Sequence, residues 1–235
     1  MTSLRSPRYF ALIPAAGVGA RMNAGCPKQY LPLAGKLMLH HVLDTFASAP
    51  VVTHTYVVVD PRDGYIEETM SEARHLEGRV TVLACGGATR HQSVLNGLLA
   101  MHGEVSDGDW VMVHDAARPG LTVALIDRLV GALRDDEVGG LLALPVVDTL
   151  KRSDAAGRAE ATVSRERLWA AQTPQMFPYS LLRRALEQAT EVTDEASAVE
   201  SLGLKPKLVE GSHRNFKITL PHDVALAELH LKGCE

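Results

Sequence analysis

The chain has 235 residues, 46% of them apolar, and carries 24 basic against 28 acidic side chains for a formal net charge of −4. That size suits one large α/β domain or two small ones and excludes a disordered chain. The acidic balance argues against non-specific binding of nucleic acid or an anionic membrane, so any bound anion must be met by a local cluster of cations.

In chain order, Tyr9-Phe10-Ala11-Leu12-Ile13-Pro14 reads as a buried strand that runs into a loop of small residues, Ala15 to Lys28. Gly17 and Gly19 allow close backbone approach to a ligand, and Arg21 and Lys28 suggest a phosphate-bearing one. The alternative is that both cations lie idle in solvent. Pro27 stiffens the chain beside Lys28 and weakens that alternative. Gly35-Lys36 reads as an ordinary turn. A helix is predicted over Leu37–Ala49, a strand over Thr55–Asp60, a polar helix over about Asp63–His75, and a strand over Arg79–Ala84 that enters Gly86-Gly87-Ala88-Thr89-Arg90.

Val94, Leu95, Leu98 and Leu99 form the apolar stripe of a helix over Thr89–Met101. Trp110-Val111-Met112-Val113 is the next strand and ends at His114-Asp115-Ala116-Ala117-Arg118-Pro119, followed by a helix over Leu121–Arg134 and a strand over Gly139–Val147. Apolar strands alternating with helices indicate a mostly parallel sheet covered on both faces, with ligands beyond the carboxyl ends of its strands. Three loops, at Gly17, Gly86 and Asp115, then gather on one edge.

The alternation breaks over about residues 148–167. Thr149-Leu150-Lys151-Arg152 and Ala159-Glu160-Ala161-Thr162-Val163 flank a polar turn, a hairpin with too few apolar groups to bury itself. It is either a solvated excursion or an arm that docks on a partner subunit. Leu168–Gln172 rejoins the sheet, and Pro178–Ala189 forms a helix. A short helix ends near Gly203, with Thr193 as its N-cap. Strands over Lys207–Val209 and Asn215–Ile218 precede a last helix opened by Pro221. Without repeat or linker, residues 1–235 read as a single domain with an arm.

Cys26, Cys85 and Cys234 share no redox or metal-ligand spacing, as expected of reduced thiols. The histidines include no His-Glu-x-x-His pair. No segment reaches membrane-spanning length and no leader precedes the first strand, so a soluble cytoplasmic protein with no nucleic-acid or membrane partner is expected.

Two phosphate motifs fail. The third glycine of a dinucleotide fingerprint would fall at Met22, and Asp60 comes too late for its acidic residue. A P-loop fails because Gly35-Lys36 is followed by Leu37. Asp115 stands at a strand end, where Mg²⁺ is often held alongside substrate phosphates, or it pairs with Arg118 and fixes the loop. Asp194 and Glu195 are explained by helix capping. Lys217 lies late in the chain where it could reach the same edge.

Eight ordered motifs carry a resemblance: Ala15-Ala-Gly-Val-Gly-Ala-Arg-Met22, Pro27-Lys-Gln-Tyr30, Gly86-Gly-Ala-Thr-Arg90 with Ser93-Val94, Val113-His-Asp-Ala-Ala-Arg-Pro119, Asp148-Thr149, Gln172-Thr-Pro-Gln175, Thr193-Asp-Glu-Ala-Ser197 and Asn215-Phe-Lys-Ile-Thr219. From about Tyr9 to Leu231 the chain resembles the 2-C-methyl-D-erythritol 4-phosphate cytidylyltransferases of the non-mevalonate isoprenoid pathway. The resemblance implies a Rossmann-like nucleotidyltransferase domain, a homodimer joined through protruding hairpin arms, and a divalent cation, usually Mg²⁺. The implied reaction joins CTP to methylerythritol phosphate and releases pyrophosphate.

By position, the resemblance makes Arg21, Lys28, Arg165 and Lys217 catalytic. Arg21 and Lys28 act on the triphosphate; Lys217, and Arg165 reaching from the partner's arm, orient the acceptor phosphate. Thr149 and Asp115 line the acceptor or metal region. Ala15, Ala16, Gly17 and Gly86, with Ser93, read cytosine and ribose, and Gly19, Gly87, Arg90 and Arg118 complete the substrate-binding set. Leu37 and His222 depart from residues common in the family and bear on local capping. A phosphate monoester attacking the α-phosphorus needs no general base near neutral pH, which agrees with a motif set lacking a catalytic histidine. A ribitol 5-phosphate cytidylyltransferase and a non-catalytic nucleotide-binding domain are the competing readings.

Overall fold

Mostly apolar strands assemble the central sheet, and helices connect most of them, one connection being a hairpin instead. The computed structural model describes residues 6–17, 25–190 and 192–232. Its sheet strands are β1 (Tyr9–Pro14), β4 (Val52–Val58), β5 (Val80–Leu83), β6 (Trp110–Val113), β7 (Gly140–Pro145), β10 (Trp169–Pro178) and β11 (Lys207–Glu210), in the spatial order β11-β7-β10-β6-β1-β4-β5. The β1–β4, β1–β6, β4–β5 and β7–β11 pairs are parallel, whereas β10 runs antiparallel to both β6 and β7. The expected α/β sheet with helices on both faces is therefore present.

On one face pack α1 (Met38–Ser48), α2 (Ile66–Glu72) and α4 (Val123–Leu133), burying Leu43, Phe46, Ile126 and Leu129 against Ile13 and Met112. On the other, α3 (Arg90–Ala100), α5 (Tyr179–Gln188) and α6 (Glu195–Ser201) bury Val94, Leu98, Leu182 and Val199 against Leu12 and Phe177. A smaller cluster joins α7 (Pro221–Lys232) to the tight hairpin β2 (Pro32–Leu33) and β3 (Lys36–Leu37) through Leu33, Met38, Ile218 and Ala227. Ala34 and Gly35 take positive φ in that hairpin's turn, so Gly35-Lys36 is the ordinary turn expected. The Thr89 hydroxyl caps α3 by accepting the Gln92 N–H. Leu37, at the N-cap of α1, makes no side-chain cap. Among the described residues no helix is long and apolar enough to cross a membrane.

Three expectations are corrected. The strand expected over Leu168–Gln172 is the ten-residue β10, which continues through Gln172-Thr-Pro-Gln175. Its pairing with β7 slips between Ala171 and Gln175, around a cis Thr173–Pro174 peptide, and then resumes. The N-cap of α6 is Asp194, not Thr193: the Asp194 carboxylate accepts the Ser197 N–H while Ser197 Oγ accepts the Asp194 N–H, a reciprocal capping box. The strand expected over Asn215–Ile218 is a single 3₁₀ turn, His213–Asn215, followed by an extended run outside the sheet. The Ile218 N–H bonds the Ala117 carbonyl, but no ladder forms around it.

The arm is an antiparallel hairpin, β8 (Leu150–Ser153) with β9 (Ala159–Val163), separate from the main sheet and exposed almost throughout. It leaves the sheet at the carboxyl end of β7 and returns at the start of antiparallel β10, where Trp169 pairs with Pro145. The arm thus springs from the edge on which β1, β4, β5 and β6 end.

Candidate active site

A cleft of about 600 Å³ opens at that edge. Its first wall is mostly backbone. The Ala15 N–H bonds the Val58 carbonyl at 2.7 Å and the Gly86 N–H bonds the Val59 carbonyl at 2.8 Å, drawing the ends of β1, β4 and β5 together. A Cβ on Gly86 would sit 2.4 Å from the Ala16 Cβ and 2.8 Å from the Val59 carbonyl oxygen, so only glycine fits. Ser93 Oγ accepts the Gly87 N–H at 3.1 Å and donates to the Thr89 carbonyl at 2.9 Å, folding the Gly86–Thr89 loop onto the start of α3. This wall offers small residues, backbone polar groups and one hydroxyl, suited to a flat base and a sugar.

The opposite side is charged. Asp115 is 6% exposed, and three cations surround it: Arg90 Nε at 2.9 Å, Lys217 Nζ at 2.8 Å and Arg118 Nε at 3.6 Å. Burial alone would raise its pKa. The three cations outweigh that and hold the carboxyl well below the usual carboxylate range. Arg90 also makes a two-pronged pair with Glu195, Nη1 to Oε1 at 2.6 Å and Nη2 to Oε2 at 3.0 Å. Burial disfavours the Arg90 charge, and Glu195 and Asp115 more than restore it, raising its pKa. Counting these five side chains, three positive charges face two negative ones, leaving an excess of one cation for an incoming anion.

Beneath Asp115, His114 is fully buried with its ring edge-on to Phe46 at 5.5 Å between centroids. Its Nε2 lies 3.1 Å from the Arg118 carbonyl, an acceptor, so Nε2 carries the proton and Nδ1 accepts from the Thr173 hydroxyl at 2.9 Å. Burial pushes the His114 pKa down to about 4. It is neutral and structural at physiological pH.

Lys28 is brought in from the 3₁₀ turn Lys28–Tyr30. Gln29, buried, donates to the Ala15 carbonyl at 2.6 Å and so ties this turn to the end of β1, while Lys28 Nζ donates to the Ile218 carbonyl at 3.2 Å. Lys28 and Lys217 therefore line one cleft from different segments.

Of the residues predicted from sequence, Ala15, Ala16, Gly17, Lys28, Gly87, Arg90, Ser93, Asp115 and Lys217 line the cleft. Gly86 lies against Ala16 at its edge. Arg118 acts from beneath, donating from Nη1 to the Asn215 carbonyl at 2.8 Å. Thr149 and Arg165 are on the arm and are not among the residues lining this cleft; the Arg165 guanidinium donates to the Val147 carbonyl at the arm's root. Gly19 and Arg21 lie outside the described residues. Sequence reasoning missed Gln29, Asn215 and Glu195. Glu195 is 1% exposed and clamps Arg90, so helix capping does not explain it.

As to a metal, no group of three or more potential ligands occurs among the described residues. Asp115 is a single hard oxygen donor whose two oxygens are already engaged by Arg90 and Lys217. Such a donor set fits a Mg²⁺ that arrives with a polyphosphate, not one held by the protein alone.

The sequence matches the profile of the 2-C-methyl-D-erythritol 4-phosphate cytidylyltransferases over residues 9–233. The 2-C-methyl-D-erythritol 4-phosphate cytidylyltransferase of Nitrosospira multiformis is 54% identical over 231 residues, covering 97% of this chain and 99% of that one. The chain belongs to the 2-C-methyl-D-erythritol 4-phosphate cytidylyltransferase family. A crystal structure of 4-diphosphocytidyl-2C-methyl-D-erythritol synthase superposes with a TM-score of 0.86 at 41% identity, covering 96% of this chain and 99% of that one. The 2-C-methyl-D-erythritol 4-phosphate cytidylyltransferase of Thermus thermophilus does so with a TM-score of 0.77 at 33% identity, covering 96% and 99%. The cleft thus joins a backbone-rich wall to a cationic side.

Proposed function

We propose that the chain transfers the cytidylyl group of CTP to 2-C-methyl-D-erythritol 4-phosphate, giving 4-diphosphocytidyl-2-C-methyl-D-erythritol and pyrophosphate, a step in the making of isoprenoid precursors. Family membership supports the activity. The observation that carries the placement of the site is the meeting of Lys28, Lys217 and the Asp115 cluster in a cleft whose other wall is glycine-rich backbone.

The glycine-rich loops at Ala15–Gly17 and Gly86–Gly87, with Ser93, hold cytosine and ribose. Lys28 and Arg21 meet the triphosphate, and Lys217, kept in place by Asp115, meets the acceptor phosphate. Two polyanions repel, so the first task of these cations is to make their approach possible. A phosphate oxygen of the acceptor attacks the α-phosphorus, the bond from that phosphorus to the bridging oxygen breaks, and pyrophosphate departs with the electron pair. Lys28 neutralises charge growing on the equatorial and leaving oxygens. Asp115 is the carboxylate that would help hold a Mg²⁺ arriving with the triphosphate, and such an ion would supply further charge neutralisation.

The arm belongs to the same reading. A two-stranded hairpin without a core is marginal alone, and Val147, Leu168 and Trp169 are exposed at its root. Docking on the arm of a second copy would cover them and carry Thr149 and Arg165 to the partner's cleft, in a homodimeric cytoplasmic enzyme built from one domain per chain. The test is pyrophosphate release from CTP and Mg²⁺ with each acceptor. Fast release with methylerythritol phosphate and slow release with ribitol 5-phosphate is expected. The reverse order, or CTP binding without turnover on either, overturns the proposal.

A further inference from the structure

Lys217 reaches the cleft from an extended run outside the sheet, so something other than a strand ladder must set its position. Along that run Phe216 and Ile218 turn into the small core shared with α7, which leaves Lys217 on the opposite side, while Asn215 ends the 3₁₀ turn from which the run starts. Asn215 is completely buried. Its amide Nδ2 donates to the Thr173 carbonyl at 2.7 Å and to Gln172 Oε1 at 3.4 Å, and its own carbonyl accepts Arg118 Nη1 at 2.8 Å. The His114 Nε2–H donates to the Arg118 carbonyl and the Thr173 hydroxyl donates to His114 Nδ1.

These bonds close a ring of four residues, His114, Arg118, Asn215 and Thr173, drawn from three separate segments of chain. The ring touches both partners of the Lys217–Asp115 pair. Thr173 Oγ1 accepts the Asp115 N–H at 3.1 Å, and Asn215 closes the 3₁₀ turn two residues before Lys217.

We infer that Asn215 is a positioning residue for acceptor binding, acting through Lys217: its amide closes the ring that holds the Lys217 segment at the height of Asp115. The inference rests on the reading above that Lys217 binds the acceptor phosphate.

The experiment compares Asn215→Ser and Asn215→Asp with the parent protein, alone and combined with Lys217→Ala. Asn215→Ser removes the amide and leaves the backbone carbonyl that Arg118 uses. Asn215→Asp keeps the shape but sets a carboxylate against two acceptors. The readouts are the KM for methylerythritol phosphate, the KM for CTP, and the folded fraction by circular dichroism. The expected result is a rise of about tenfold in the acceptor KM, the scale of one or two lost hydrogen bonds. The CTP KM stays within about twofold, and Asn215→Ser adds nothing in the Lys217→Ala background.

A merely structural residue would lower the folded fraction and leave both KM values alone. That outcome, or a parallel rise in both, overturns the inference. If Asn215→Asp does not fold, Asn215→Ser decides alone. Lys217→Ala by itself separates the two levels of failure. An unchanged acceptor KM there refutes the reading of Lys217 and the inference with it, whereas a raised one with inert Asn215 variants refutes the inference only.

Discussion

Replacing Glu195 by glutamine tests whether the charged side of the cleft is held from α6. Glu195 is 1% exposed and makes two charge-assisted bonds to Arg90, at 2.6 and 3.0 Å. Glutamine has nearly the same shape but can present only one acceptor; its amide nitrogen must then face an Arg90 N–H, donor to donor. One bond is lost and a repulsion replaces it, while Arg90 keeps its bond to Asp115. A charge-assisted bond contributes about 1.5–3 kcal/mol, and breaking one side of a buried pair costs about 3–5 kcal/mol. Because one bond survives, the expected loss is about 3 kcal/mol. For a chain of this length each kcal/mol shifts Tm by roughly 2–4 °C, so thermal unfolding followed by circular dichroism should move down by roughly 6–12 °C. A shift below about 2 °C would refute the reasoning, since Arg90 would then be anchored without Glu195.

Three further outcomes are expected. His114 is neutral in the fold with a pKa near 4, against an ordinary 6.5 once unfolded. The unfolded chain therefore takes up a proton between those values that the folded chain refuses, and stability falls as pH falls through that window by up to about 3 kcal/mol. Burial lowers the His41 pKa as well, with the same sign. Urea titrations at pH 7 and pH 4.5 measure the slope, and an unchanged slope in His114→Gln would remove His114 as its source. Gly86→Ala forces a Cβ to within 2.8 Å of the Val59 carbonyl oxygen, and crowding of that kind costs about 1–3 kcal/mol. It should raise the KM for CTP more than that for the acceptor in steady-state assays; equal effects would place the nucleoside elsewhere. Chelation with EDTA should stop turnover while leaving the Tm of the ligand-free protein unchanged, and a fall in Tm would mean that the protein itself holds a structural ion.

Much of the frame was legible because its signals are local. Trp110–Val113 is apolar at every position, as a strand buried on both faces must be, and Thr89 and Pro221 carry the side-chain and backbone preferences of helix starts. The full course of β10 was not legible. Its antiparallel place between β6 and β7 is set by non-local pairing, and Pro174 inside the strand reads locally as a breaker.

The same contrast holds at the site. Asp115 stands out as a charge at the end of an apolar strand, Lys28 as a cation beside Pro27 in a loop of small residues, and Lys217 as a lysine between Phe216 and Ile218. Glu195 does not, because an acidic residue in the first turn of a helix already has a local explanation. Its partner Arg90 lies 105 residues away in sequence. Asn215 is likewise a common residue whose role exists only once β6, β10 and the run before α7 meet. Thr149 and Arg165, on the arm, do not line the cleft of their own chain.

The most direct test of the account is a crystal structure of the protein with CTP and Mg²⁺. It predicts cytosine and ribose against Ala15–Gly17, Gly86–Gly87 and Ser93, with the triphosphate turned toward Lys28 and the side of the cleft at Lys217 left for the acceptor. A nucleotide bound outside this cleft, or bound in it with its triphosphate against the glycine-rich wall, would contradict the account.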